Sequence, residues 1–138
     1  MFSKIMCPVD LAHADKLQKA LQCAADQSRM YGAEVVYVGV TSTSPGSVAH
    51  NPQEFGDKLT AFAAAQGAAH GHAASAHVQI SHDPGVDMER SLLKAVSETG
   101  CDLVVMASHV PNVLDHIWPS NGGKLAEHVK CSIMVIRS

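Results

Sequence analysis

Asp10, Ser108 and His109 each follow a short apolar run, and together they supply the types needed for an orienting acid, a nucleophile and a base. Ser108 and His109 are adjacent in an extended segment, so their side chains point to opposite sides and do not pair directly. Simple hydrogen bonding, not a hydrolytic triad, is the expected role of all three. A second cluster, Ser120, Asn121, Gly122 and Gly123, closes the polar stretch that begins at Ser108. A helix starting there would aim free N–H groups and the positive end of its dipole at an anion. An ordinary capped helix with Ser120 or Asn121 as N-cap accounts for the same residues equally well.

No GxxxxGK followed by Ser or Thr occurs, and no GxGxxG follows a strand-like run, so neither the P-loop nor the dinucleotide fingerprint is present. Fast phosphoryl transfer needs a metal held by carboxylates or a cationic clamp, whereas this stretch offers only His109, Asp115 and His116. Binding with slow or no turnover is the economical expectation. Four of the nine histidines, His70, His72, His77 and His82, fall close together. His70 and His72 at i, i+2 share no helix face, and no Cys or paired carboxylate completes a ligand set, so surface histidines and no metal site are expected. Cys7, Cys23, Cys101 and Cys131 form no CxxC pair and sit among apolar residues, which predicts buried free thiols.

The composition limits what can position these groups. A chain of 138 residues makes one domain, expected over 1–138, with a core that needs no disulfide or metal to hold it. Aromatics are only 4% of the residues, so the core must be built largely from Ala, Val, Leu, Ile and Met, and any bound base would rest between aliphatic walls and backbone groups. Ten Lys and Arg against 13 Asp and Glu leave no basic footprint for nucleic acid. No apolar run approaches the roughly 20 residues of a membrane span, and the chain enters a strand-like pattern at once, without a signal peptide's apolar region. A cytoplasmic protein with no membrane and no nucleic-acid role is the expectation.

Hydrophobic periodicity gives the elements. Lys4 to Val9 reads as a strand buried on both faces, and Leu17, Ala20, Leu21 and Ala24 mark a helix from Lys16 that ends at Gly32. Glu34 to Val40 is a second strand. Thr41 to Gln53, rich in Ser, Thr, Pro and Gly, breaks all periodicity and is expected to be a long mobile connection. A helix follows from Glu54 to about Ala69, then a strand from His77 to Ser81 and a turn to Gly85. A third helix is placed at Asp87 to Glu98, with Gly100 beyond its end. Asp102 to Ala107 is a buried strand, Ser120 to Val129 a helix, and Ser132 to Arg137 the last strand. Alternating strands and helices imply a parallel sheet with helices on both faces, in which ligands bind beyond the carboxyl ends of the strands where strand order reverses. That rule selects Asp10, Val40 to Ser42, and Ser108 to Pro111.

Cys7-Pro8-Val9-Asp10, the run Asp102 to His109, Pro111, Ser120-Asn121, His128, Cys131-Ser132 and Met134 to Arg137 together resemble the universal stress proteins of the UspA superfamily, over essentially the whole chain and most closely its UspF/UspG-like branch. The resemblance implies a five-stranded parallel sheet of order 3-2-1-4-5. It also implies a homodimer, formed in many members by antiparallel contact of the last strands, here Ser132 to Arg137. One branch of the family binds ATP. By resemblance, adenine would lie against Pro8, Val9, Asp10 and Val40, and ribose and phosphates along a loop matching Ala107, Ser108, His109, Val110, Ser120 and Asn121. The loop's three family glycines are replaced here, by Ala107, Val110 and Pro119. Pro119 removes one N–H donor and fixes φ, so ATP or AMP, with or without Mg²⁺, would be held by fewer donors than in the family pattern. Two functions stay open: a nucleotide-binding stress-response regulator, or a dimeric interaction module of the same fold without nucleotide. Slow ATP hydrolysis is the most activity expected.

Overall fold

The computed structural model describes residues 1–84, 86–108 and 128–137. Its strands are β1 (Lys4–Pro8), β2 (Glu34–Thr41), β3 (Ala74–Ile80), β4 (Leu103–Ala107) and β5 (Ser132–Ile136), all parallel, in the order β3-β2-β1-β4-β5. Three α-helices are described: α1 (Gln18–Tyr31), α2 (Pro52–His70) and α3 (Met88–Thr99). The expected sheet and its order are therefore present. The expected helix from Ser120 to Val129 falls almost wholly outside the described residues.

The three central strands are continuous apolar runs because both faces are covered. Ile5, Met6, Cys7, Val35, Tyr37, Val38, Val104 and Val105 are buried to 1% exposure or less. Leu21 and Ala24 of α1, Leu59 and Ala63 of α2, and Leu92 and Ala95 of α3 join the same core. Tyr37, the largest fully buried side chain among the described residues, stacks edge-on against Phe62 at 5.5 Å and places its hydroxyl 3.3 Å from His72 Nε2.

The element ends differ from the sequence expectation in instructive ways. Leu11–Leu17 is a 3₁₀ helix, so the α-helix begins at Gln18 and not at Lys16. Helix α2 starts two residues early because Asn51 caps it, accepting from the Glu54 N–H at 2.8 Å, and Pro52 needs no partner for a missing N–H at the first turn. It ends at Gly71, which takes the left-handed conformation at φ 70°. Strand β3 begins at Ala74, not His77: the small Ala-Ser-Ala start has no strand preference of its own, and pairing of Ala74 to Ala76 with Val35 to Tyr37 recruits it.

Candidate functional site

Strand order reverses between β1 and β4, and beyond the carboxyl ends of β1 and β2 lies a cavity of about 320 Å³. Val9 and Asp10 arrive directly from β1, with the Val9 N–H bonded to the Val38 carbonyl at 2.8 Å, so the parallel ladder itself sets Asp10 at the rim. Val40 and Thr41 come from the end of β2. Asp10 caps the following 3₁₀ helix: Oδ1 accepts from the Ala12 N–H at 3.1 Å, and Oδ2 lies 2.9 Å from His13 Nδ1. These contacts hold the carboxylate at the cavity wall with its side chain 16% exposed. Among the described residues that line the cavity, Asp10 is the only carboxylate and His13 the only other titratable group.

The remaining wall comes from residues the sequence pattern did not single out. Ser44, Gly46, Ser47, Val48 and Ala49, expected to be part of a mobile connection, fold back over the cavity. The Gly46 N–H bonds the Ala49 carbonyl at 2.9 Å, Ala49 is 9% exposed, and Lys58 Nζ donates to the Val48 carbonyl. Glu54 ties the far end, accepting from the His50 N–H at 3.1 Å and lying 3.0 Å from the His50 ring. Those two His50 bonds, with Lys58 beside them, hold the Glu54 carboxyl down at about 2. The signal that could have revealed this order was Asn51-Pro52-Gln53-Glu54, an N-cap, a first-turn proline and an acid three residues after the cap.

Phe55 also lines the cavity, which corrects the expectation of purely aliphatic walls. Its ring lies so near β2 that a Cβ at Gly39 would sit 2.7 Å from two ring carbons, so Gly39 is what admits the aromatic. Met88 and Pro84 close the floor from the α3 side.

The expected site residues divide into three groups. Val9, Asp10 and Val40 meet at the cavity. Pro8 is buried in β1, and Ala107 with Ser108 ends β4, where the Ser108 N–H bonds the Ile136 carbonyl at 2.9 Å; these three are outside the described lining. His109, Val110, Ser120 and Asn121 lie outside the described residues. Of the clustered histidines, His82 is exposed as expected, whereas His70, His72 and His77 are half-buried. His72 meets Tyr37, and His77 Nε2 lies 3.1 Å from Glu98 Oε2. All four cysteines are free, Cys7 and Cys101 buried, Cys23 and Cys131 only half-buried. Among the described residues no group of three His, Cys, Asp or Glu side chains is placed to hold a metal, and no helix is long and apolar enough to cross a membrane.

The sequence pattern of the universal stress protein family matches residues 1–137. The chain belongs to this family. A universal stress protein from Burkholderia pseudomallei has the same fold at a TM-score of 0.69 and 20% identity, over 99% of this chain and 96% of that one. One from Archaeoglobus fulgidus in complex with dAMP is 17% identical with a TM-score of 0.65, covering 97% of each chain. One from Arabidopsis thaliana with AMP bound is 15% identical with a TM-score of 0.63, over 98% of this chain and 91% of that one. No curated protein sequence matches the chain. At these identities the structures establish the shared α/β fold.

Proposed function

We propose that this universal stress protein binds an adenine nucleotide, ATP or AMP, in the cavity beyond β1 and β2, as a cytoplasmic stress-response regulator of one domain, 1–138, in the UspF/UspG-like branch. The observation that carries the reading is the cavity itself. An apolar slot of Val9, Val40, Val48, Phe55 and Met88 with one carboxylate in its wall suits a flat base bearing an amino group. Asp10 accepts from that amino group and the Val40 backbone completes the base edge. Ser108, His109, Ser120 and Asn121 hold ribose and phosphates on the β4 side. Asp10 is the single carboxylate among the described residues that line the cavity, so a Mg²⁺ would be held chiefly by the phosphates. The dAMP and AMP complexes of the family members above support the ligand class.

Equilibrium dialysis with ATP and with AMP, each with and without Mg²⁺, tests the proposal. Retention is expected, and Asp10→Ala should weaken it about 10- to 100-fold, the equivalent of one hydrogen bond to a charged group. No retention at millimolar nucleotide with Mg²⁺ present would sink it. The second reading, a dimeric interaction module without nucleotide, is favoured by Val110 and Pro119, since each phosphate donor lost costs about one to two decades in affinity. Nucleotide released on denaturing the purified protein counts decisively against that reading. In either case the homodimer forms through Ser132 to Arg137, the side on which β5 has no described neighbour beyond β4.

A further inference from the structure

Beside Asp10 the chain breaks step. Leu11–Leu17 runs as a 3₁₀ helix, but His13 stands at a kink inside it, with φ −132° and ψ 30° in place of helical values. The kink brings His13 back to the residue that opens the helix. Its N–H bonds the Asp10 carbonyl at 3.0 Å, and its Nδ1 lies 2.9 Å from Asp10 Oδ2. Asp10 Oδ1 is already taken by the Ala12 N–H at 3.1 Å. Each carboxylate oxygen therefore has its own partner, from a different residue. One bond alone would leave the carboxylate free to turn about the bonded oxygen, whereas two bonds on different oxygens fix its plane. An ionised carboxylate only accepts, so Nδ1 is the ring nitrogen that carries the proton, and Nε2 of neutral His13 is bare. Both residues line the cavity, with side chains 16% and 38% exposed for Asp10 and His13.

Building on the reading of the cavity as an adenine-nucleotide site, we propose that His13 is a positioning residue for base selection. By locking the Asp10 carboxylate it makes the cavity prefer a base with an amino group over one with a carbonyl oxygen at the same edge. A carboxylate held by two N–H donors shows the ligand lone pairs only. An amino group donates into them. A carbonyl oxygen in its place sets lone pair against lone pair and leaves both out of water. A loose carboxylate would swing aside and admit a bridging water, and the distinction would fade with Asp10 still present. The hydroxyl residues of the lining, Thr41, Ser42, Ser44 and Ser47, do not make this distinction, because each hydroxyl turns to donate or to accept. The fixed acceptor is Asp10, and His13 supplies one of the two bonds that fix it.

Two measurements on the full chain test this role. Nitrogen NMR of neutral His13 in the unmodified protein, without ligand, is expected to find the proton on Nδ1 and none on Nε2. A proton on Nε2 alone would overturn the proposal whatever the protein binds. Equilibrium dialysis with AMP and with IMP, whose base carries a carbonyl oxygen where adenine carries its amino group, reads the preference. AMP is expected to be held about 10- to 100-fold tighter than IMP. His13→Ala should cut that ratio about 3- to 10-fold by weakening AMP, with IMP changed by less than about twofold. His13→Asn, whose amide nitrogen can stand where Nδ1 stands and donate to Asp10, should restore the ratio to within about twofold. With Asp10→Ala already in place, His13→Ala should change the ratio no further. If His13→Ala fails to fold, His13→Phe, which keeps the ring and lacks the donor, takes its place. An unchanged ratio, equal weakening of AMP and IMP, or no recovery in His13→Asn would each overturn the proposal and leave the nucleotide site standing. Retention of neither nucleotide by the unmodified protein would overturn both.

Discussion

The two edges of the sheet are defended in opposite ways. Strand β3 carries Ser75, His77 and Gln79 at alternate positions, each engaged: Ser75 Oγ donates to Glu34 Oε1 at 3.1 Å, and His77 Nε2 lies 3.1 Å from Glu98 Oε2 and 3.2 Å from Gln79 Oε1. Polar side chains tied to their own sheet and helices make a poor template for another strand. Strand β5 carries Ile133, Met134, Val135 and Ile136, with Val135 40% exposed. An apolar edge with no further strand beside it among the described residues is the one that a second copy can cover. The difference teaches that the β3 edge is finished with polar side chains tied within the chain, whereas the β5 edge offers the apolar surface that the proposed dimer would use.

The largest effect that separates the two edges is on oligomeric state. Val135→Lys puts a charge in the middle of the proposed interface and is expected to convert dimer to monomer, read by sedimentation or by scattering mass, with the monomer still folded. Ile80→Lys makes the same change on the β3 edge, at a residue 51% exposed, and is expected to leave the dimer intact. If Ile80→Lys dissociates the protein and Val135→Lys does not, the assignment of the edges is reversed.

A smaller effect concerns how each edge is anchored at its amino end. Asp102, just before β4, accepts from the Ser3 N–H at 2.9 Å, the Ser3 hydroxyl at 3.1 Å and the Lys4 N–H at 3.1 Å, tying the start of β1 to the start of β4. Burial raises its pKa, but these donors outweigh that and hold it below the usual Asp value. Asp102→Ala should therefore cost about 1–2 kcal/mol, the range of hydrogen bonds to a charged acceptor discounted for solvent exposure, and lower Tm by several degrees. Hydrogen exchange should show the loss in β4 and β5 before β2 and β3. Equal loss of protection in all four strands would show that the β5 side is no more dependent on this anchor.

How far the sequence revealed these features depends on whether the signal was local. The sheet was legible because Ile5 to Val9, Val35 to Val38 and Leu103 to Met106 are apolar runs that only a doubly covered parallel sheet explains, and Asp10 was legible because it ends the first of them. The cavity wall was not. Its Phe55 is admitted by Gly39, sixteen positions earlier in the chain, and such a contact leaves no trace in periodicity. The order of Ser44 to Ala49 depends on Lys58 and Glu54 reaching back from α2, a turn of helix beyond the segment they hold. Ala74 to Ala76 was missed for the same reason, since its partner strand and not its own side chains makes it extended.

The smallest expected effect is a local one on the β3 side, and it completes the contrast with Asp102. Glu54 is held at about 2 by His50 and Lys58, well below its ordinary value near 4.5. A carboxyl depressed in the folded state contributes fully above its unfolded pKa, and that contribution is lost as pH falls from about 4.5 through about 2. Glu54 is a surface group that fastens one loop, so its protonation should loosen residues 44–51 and leave the strands paired. Backbone amide shifts of His50 and Glu54 followed from pH 5 to roughly pH 2 should move with a midpoint far below an ordinary Glu, while β2 amides stay protected until global acid unfolding. Glu54→Gln should release the loop at neutral pH and remove that titration. Were the loop instead to titrate near 4.5 in the unmodified protein, the His50 bonds would not be holding it, and the ordered cavity wall on this half of the sheet would need another cause.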